Sequence, residues 1–122
     1  MGASKFDADY GGVRFNVAVP FDCDWSETFT IQEAGVTQNL TGETWTAAIY
    51  DAWGTTTAVQ AMDMSGSTLA SGLVTPAVTD AQLTALLTAD AGLNARELVW
   101  KMFRTSGTTT ERWAFGKFVI LG

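Results

Sequence analysis

The chain has 122 residues, of which 47% are hydrophobic and 16% are charged, and its net charge is −6. This length fits one domain with a substantial core, and five Trp and seven Phe supply too much apolar surface for a disordered chain. The acidic balance disfavours nucleic acid as a partner of the domain as a whole, because carboxylates repel the phosphate backbone.

Residues 1–12 are mostly small and polar and include Gly11 and Gly12. They predict an N-terminal arm outside the core, since terminal segments of this kind are poorly ordered unless a partner holds them. Phe6 and Tyr10 are the two large apolar residues of this arm. We expect both to contact a neighbouring protein, by insertion into a groove or by addition of a strand to a sheet edge.

Residues 13–122 predict the folded domain. Apolar residues alternate with polar or small ones in five segments, which is the pattern of half-buried strands. These segments are 13–19, 25–31, 44–52, 97–103 and 113–120. Weaker strands are expected over 58–64 and 72–75. The pattern favours an all-β fold, a single immunoglobulin-like β-sandwich of about seven antiparallel strands.

One short α-helix is predicted near 79–89. Thr79 and Gln82 have the spacing of a capping box, in which each side chain bonds the other residue's backbone N–H. Apolar residues then share one helical face, and Gly92 is expected to end the helix. The apolar residues of this face are Leu83, Leu86 and Leu87.

The last two strands are expected to form a hairpin. Ser106, Gly107 and Thr108 supply its turn. Gly116 interrupts the alternation of the second strand, so it predicts either a β-bulge or a close approach of another backbone segment.

Tryptophan is abundant, and its positions predict two different roles. Trp25, Trp45 and Trp100 lie on the apolar side of their strands and are expected in the core. Trp53 stands beside Gly54 at a predicted hairpin tip and should be exposed. We expect Trp53 to contribute to a protein interface, where Trp is enriched among hot spots. The alternatives are packing over the hairpin and stacking on a sugar ring.

The chain contains no histidine and one cysteine, Cys23. Ser-His-Asp and Cys-His catalytic arrangements therefore cannot form, and zinc loses its usual ligand sets. We expect Cys23 to be a small buried hydrophobe. The sequence predicts no catalytic residue, no metal and no cofactor. The opening residues have no apolar core like that of a secretory signal, so we expect a protein kept in the cytoplasm.

Two pairs of carboxylates stand two residues apart, Asp7 with Asp9 and Asp22 with Asp24. On an extended chain each pair points to one side. We expect them to be solvated acids. A calcium ligand pair and the acid/base pair of a small hydrolase are the alternatives.

Four short motifs appear in the chain in a set order. They are Asp24-Trp25-Ser26-Glu27-Thr28-Phe29, Leu40-Thr41-Gly42, Thr79-Asp80-Ala81-Gln82 and Gly116-Lys117. In order and spacing they resemble the small β-sandwich domains of tailed-bacteriophage virions, in particular the N-terminal domains of baseplate upper proteins and related tail-fibre adaptors. The resemblance extends over residues 13–121.

The resemblance implies a non-enzymatic bacteriophage virion structural protein, an adaptor or capsid decoration module that docks in multiple copies on a larger tail, baseplate or capsid assembly. It implies other virion proteins as partners, a symmetric homo-oligomer, and a location in the virion after assembly in the host cytoplasm. Neither a membrane nor nucleic acid is expected as a partner. The alternatives are a carbohydrate- or receptor-binding module on the same fold and a small hydrolase.

Overall fold

The computed structural model describes residues 13–90 and 94–122, together with a strand formed by residues 4–7. Within these residues the chain forms twelve strands, one α-helix and a short 3-10 turn over Leu69–Ser71. The strands are β1 (Ser4–Asp7), β2 (Val13–Arg14), β3 (Val17–Pro20), β4 (Trp25–Ser26), β5 (Phe29–Glu33), β6 (Val36–Thr37), β7 (Thr44–Tyr50), β8 (Gln60–Ala61), β9 (Leu73–Val74), β10 (Ala77–Val78), β11 (Ala95–Ser106) and β12 (Thr109–Leu121). The helix α1 spans Asp80–Thr88. The predicted all-β class with one short helix is confirmed.

The larger sheet is built on the long hairpin of β11 and β12. These strands pair from Ala95 opposite Leu121 to Ser106 opposite Thr109, which confirms the predicted hairpin and its turn. β7 pairs antiparallel with β11, and β8 pairs antiparallel with β7. β2 and β3 lie parallel to β12 on its other side. The order across the sheet is β2-β12-β11-β7-β8, with β3 also on β12.

The smaller sheet is centred on β5. β1, which lies within the predicted arm, pairs parallel with β5. β6 and β9 pair antiparallel with β5 along its other edge. A two-stranded ribbon joins β4 and β10. Among the described residues, three strand pairs are parallel and six are antiparallel. The expectation of about seven strands is therefore wrong in number, and the expected antiparallel pairing holds for most of the pairs but not for all.

Side chains that bond to backbone groups divide the first predicted strand, 13–19, into β2 and β3. The indole of Trp100 donates from Nε1 to the Phe15 carbonyl at 2.7 Å. The Asn16 side chain accepts from the Lys117 backbone N–H at 2.9 Å, in place of a backbone carbonyl. The second predicted strand, 25–31, is likewise divided into β4 and β5.

Gly116 lies where β12 passes the segment between β2 and β3. A Cβ added at Gly116 would overlap the carbonyl of Phe15, so this glycine marks a close backbone approach, as one of the two predictions for it held. The bulge lies elsewhere. Met102 pairs with Ala114 and Phe103 pairs with Arg112, which leaves Trp113 as the extra residue of β12.

One hydrophobic core draws buried residues from both sheets and from α1. Trp100, Phe29 and Phe118 are among its largest fully buried side chains, and the rings of Trp100 and Phe29 stack at 6.0 Å. Trp45 and Trp100 are in the core as predicted, and Trp25 is half-buried against it. The buried residues that form this core cluster are Val17, Val19, Phe29, Ile31, Leu40, Trp45, Ala47, Ile49, Met62, Val74, Val78, Leu83, Leu86, Leu98, Trp100, Met102, Trp113, Ala114, Phe118 and Ile120.

The helix begins as its sequence predicts. The Thr79 side chain accepts from the Gln82 backbone, and the Gln82 side chain accepts from the Thr79 backbone, so the capping box is complete. Asp24 adds a second cap, because its carboxylate accepts from the Asp80 N–H at 2.7 Å. Gly92, expected to end the helix, lies outside the described residues.

Among the described residues, every helix is too short or too polar to cross a lipid bilayer.

Candidate functional site

The outer face of the larger sheet carries partly exposed aromatic and cationic side chains. Successive residues of a strand face opposite sides, and Trp100, Met102 and Ala114 point into the core. Lys101 and Phe115 therefore face away from it. The register places these two side by side across β11 and β12.

Trp53 lies over this outer face. Its side chain is 42% exposed, and its ring meets the Phe115 ring nearly edge-on at a centroid distance of 5.9 Å. The guanidinium carbon of Arg14 is 5.0 Å from the Phe115 centroid and 6.0 Å from the Trp53 centroid. Arg112 approaches Phe115 at 4.4 Å. We call these four residues, Arg14, Trp53, Arg112 and Phe115, the outer-face patch.

Lys101 fixes the loop that carries Trp53. Its ammonium group donates to the Trp53 carbonyl at 3.0 Å and to the Thr55 carbonyl at 3.4 Å, and it lies 4.7 Å from the centroid of the Tyr50 ring. These contacts hold the loop after β7 against the sheet, so Trp53 is placed over Phe115. Sequence reasoning missed Lys101, because its bonds go to backbone atoms about 46 residues away in the chain.

An open pocket of about 330 Å³ adjoins Lys101 on this face. Two aromatic rings, one cation and several hydroxyl groups line it. The lining residues are Thr46, Tyr50, Thr55, Thr56, Lys101, Phe103 and Thr110.

Arg14 of the patch and the neighbouring Lys101 differ from three other basic residues in their partners. Arg96, Arg104 and Lys117 each form a salt bridge with a carboxylate. In residues 13–90 and 94–122, Arg14 and Lys101 form no salt bridge and contact aromatic rings instead. A guanidinium that stacks on a ring keeps its N–H groups available to an acceptor, so Arg14 can bind a carboxylate of a partner.

Arg104, by contrast, serves the fold. Two of its nitrogens bond both carboxylate oxygens of Glu43, at 2.6 and 2.9 Å, and Glu33 lies at 3.4 Å. Trp45 donates to the same Glu43 carboxylate at 3.0 Å. The hydrogen bonds that Arg104 donates to the Glu43 carboxylate hold the pKa of Arg104 above its ordinary value. No local sequence pattern indicates this pair, because 61 residues separate the partners.

The structure places the predicted interface residues apart. Trp53 is exposed, as expected, and belongs to the outer-face patch. Phe6 belongs to β1 of the smaller sheet, at the register position of Ile31. Tyr10 lies outside the described residues. Trp53 and Phe6 therefore do not share one surface element.

Cys23 is exposed, so the expectation of a buried hydrophobe is wrong. It lies in the turn after β3, between two aspartates, and its sulfur is 3.7 Å from the Asp22 carboxylate. Desolvation, followed by the charge and hydrogen bond of Asp22 and the charges of Asp24 and Asp80, raises the pKa of the thiol. Asp24 has a structural role here, since it caps α1. Within the described ranges no cluster of acidic or cysteine side chains is arranged to hold a metal ion.

No protein-family model and no curated protein matches this chain.

Proposed function

We propose that this chain is a non-enzymatic structural protein of a bacteriophage virion, which docks in multiple copies on a larger tail, baseplate or capsid assembly. The observation that carries the proposal is Trp53, a half-exposed indole fixed against Phe115 and Arg14 on the outer face of a rigid sheet. The order of the virion-domain motifs supports the virion as its location, after assembly in the host cytoplasm.

The outer-face patch has the chemistry of a protein-binding hot spot. Trp and Arg are the residues most enriched in such spots, and the loss of one typically costs more than about 2 kcal/mol of binding. Because Lys101 already holds the Trp53 loop, little ordering entropy is lost when a partner covers it. The partner should offer a carboxylate for Arg14 beside an apolar surface for Trp53.

We further propose that the two sheets are the layers of an immunoglobulin-like sandwich. The single core cluster drawn from both sheets supports this arrangement. An experimental structure in which the two sheets do not face each other across this core would contradict it.

The test of the proposed function is incorporation into particles. Mass spectrometry of purified virions should recover the chain in many copies per particle. Trp53→Ala and Arg14→Ala should each lower the copy number at least severalfold while the purified domain stays folded. The matched control is Val36→Ala, which removes a 62% exposed apolar side chain from the smaller sheet.

Two results would contradict the proposal. Expression of the chain in infected cells together with its absence from purified particles would reject a virion role. Incorporation of both patch variants at the copy number of Val36→Ala would reject the outer-face patch as the docking surface.

The pocket beside Lys101 favours a second candidate, a carbohydrate- or receptor-binding module. Tyr50 and Phe103 offer ring faces for a sugar, and threonine hydroxyls can bond its hydroxyl groups. A glycan array should then show binding that disappears in Tyr50→Ala and weakens in Trp53→Ala. An array without binding by the intact protein would reject this candidate.

A further inference from the structure

The strand β1 covers one edge of β5. The Ile31 N–H donates to the Gly72 carbonyl, and the Ile31 carbonyl accepts from the Gln38 N–H, so the backbone groups of Ile31 point toward β6 and β9. Backbone groups of successive residues alternate in direction. Those of Thr30 and Gln32 therefore point to the opposite edge, where β1 lies. Without β1 this edge would present unpaired N–H and C=O groups.

In the described part of the chain, β1 belongs to the smaller sheet through one strand partner. Its strand partner in the described part of the chain is β5, with Ser4 opposite Phe29 and Asp7 opposite Gln32. The next strand, β2, belongs to the larger sheet. Parallel strands need no tight hairpin between them, so a β1 from another molecule can make the same hydrogen bonds.

We propose that β1 is exchanged between copies, so that Ser4–Asp7 of one molecule pairs with the β5 edge of the next. The occupant of the edge is thus a second copy of this chain. The inference rests on the proposed function in one respect, because it supplies the contact between the multiple copies. Exchange of an identical element is a low-cost route to oligomers, since it replaces each intramolecular contact with the same contact between molecules.

The length of the connection limits the geometry of the exchange. Six Cα–Cα steps separate Asp7 from Val13, which at full extension reach about 20 Å. This length is enough to cross the roughly 10 Å between packed sheets within one molecule. It is also enough for β1 to reach the β5 edge of a second molecule in direct contact with the first. The acceptor edge of the neighbour must therefore lie within about 20 Å of Val13. Reciprocal exchange gives a two-fold dimer, and head-to-tail exchange gives a ring.

A cysteine cross-link between register partners tests the exchange. Lys5 pairs with Thr30, and adjacent strands lie about 4.8 Å apart, a separation that a disulfide can bridge. In a Cys23→Ser background, one full-length variant carries Lys5→Cys and a second carries Thr30→Cys. The two are unfolded together, refolded as an equal mixture and oxidised. We expect a covalent dimer whose mass contains one copy of each variant.

Two controls make the result specific. Mixing Lys5→Cys with Glu111→Cys, an exposed position on β12 in the larger sheet, should give at least tenfold less mixed dimer. A second register pair, Asp7→Cys with Gln32→Cys, repeats the test if Thr30→Cys does not fold. Placing Lys5→Cys and Thr30→Cys in one chain should give interchain products in the oligomeric fraction.

The exchange is overturned if the chain that carries both Lys5→Cys and Thr30→Cys forms only intrachain disulfides. It is also overturned if Lys5→Cys forms the mixed dimer equally well with Glu111→Cys. A protein that stays monomeric at every concentration also overturns it. These outcomes are separate from the failure of the proposed function. Trans cross-links in a protein that never enters particles would reject only the virion role, and particle binding without trans cross-links would reject only the exchange.

Discussion

Gly116 shows how one missing side chain shapes the larger sheet. β12 passes so close to Phe15 that a Cβ at Gly116 would overlap the Phe15 carbonyl, and that same carbonyl accepts the Trp100 indole. We expect Gly116→Ala to lower the free energy of unfolding by about 1–3 kcal/mol, because the backbone between β2 and β3 must shift. Urea unfolding measures the change. The matched control is Gly54→Ala, where a Cβ meets no atom within 4 Å; an equal loss there would contradict this account.

The ion pair of Arg104 and Glu43 should stabilise the fold more than the exposed ion pair of Lys117 and Glu97. Both side chains are at most 15% exposed, whereas Lys117 and Glu97 are 52% and 61% exposed. Glu43→Gln leaves a largely buried guanidinium without its closest counter-charge and should cost about 3 kcal/mol. Glu97→Gln should cost less than about 1 kcal/mol. Equal effects of the two variants in thermal or urea unfolding would show that the buried pair does not stabilise the fold.

Cys23 should react slowly for an exposed thiol. Its raised pKa lowers the thiolate fraction at any given pH near neutrality, and the thiolate is the reactive form. Alkylation with iodoacetamide should therefore be slower than that of a free cysteine derivative. Asp22→Asn removes the negative charge and replaces one acceptor oxygen with a donor NH2 group, so it should lower the pKa of the thiol and speed the reaction. A rate that matches free cysteine and does not respond to Asp22→Asn would contradict this prediction.

At the scale of elements, α1 depends on its first turn. Thr79→Ala removes one half of the capping box and should cost about 1 kcal/mol. Thr88→Ala changes an exposed residue at the other end of the helix and should be nearly neutral. A comparison of the two melting temperatures checks the prediction, and a loss confined to Thr88→Ala would contradict it.

Elements with strong local patterns were predictable from the sequence. The capping box located α1 to within a residue or two, and alternation around a Gly turn located β11 and β12. The breaks in the first two predicted strands were not predictable. The Phe15 carbonyl accepts from the Trp100 indole and the Asn16 side chain accepts from the Lys117 N–H, and these partners lie 85 and 101 residues further along the chain. Local periodicity carries no information on such contacts.

The candidate site was predictable only in part, for the same reason. Trp53 could be recognised as exposed because it stands beside Gly54 after a strand. Its neighbours Arg14 and Phe115 come from strands at opposite ends of the chain, which the parallel pairing of β2 with β12 brings together. The strand β1 lacked a usable pattern, since four residues are too few to show a period and its pairing depends on the edge of β5.

The whole molecule offers two contact surfaces, one on each sheet. The chain carries a net charge of −6, yet Arg14 and Lys101 lie on one sheet face against aromatic rings. An exchanged β1 would join neighbouring copies of this chain through the smaller sheet. The outer-face patch on the larger sheet would bind the larger assembly on which the copies dock. Many copies in one particle would make weak single contacts strong in combination.

The most direct measurement is oxidative footprinting of the free protein and of the assembled particle. We expect Trp53 to be oxidised readily in the free protein and at least severalfold more slowly in the particle, because a partner covers the outer-face patch. Val36, exposed on the smaller sheet, should be oxidised at a similar rate in both states. Equal oxidation of Trp53 in the free and the assembled protein would contradict the proposed docking surface.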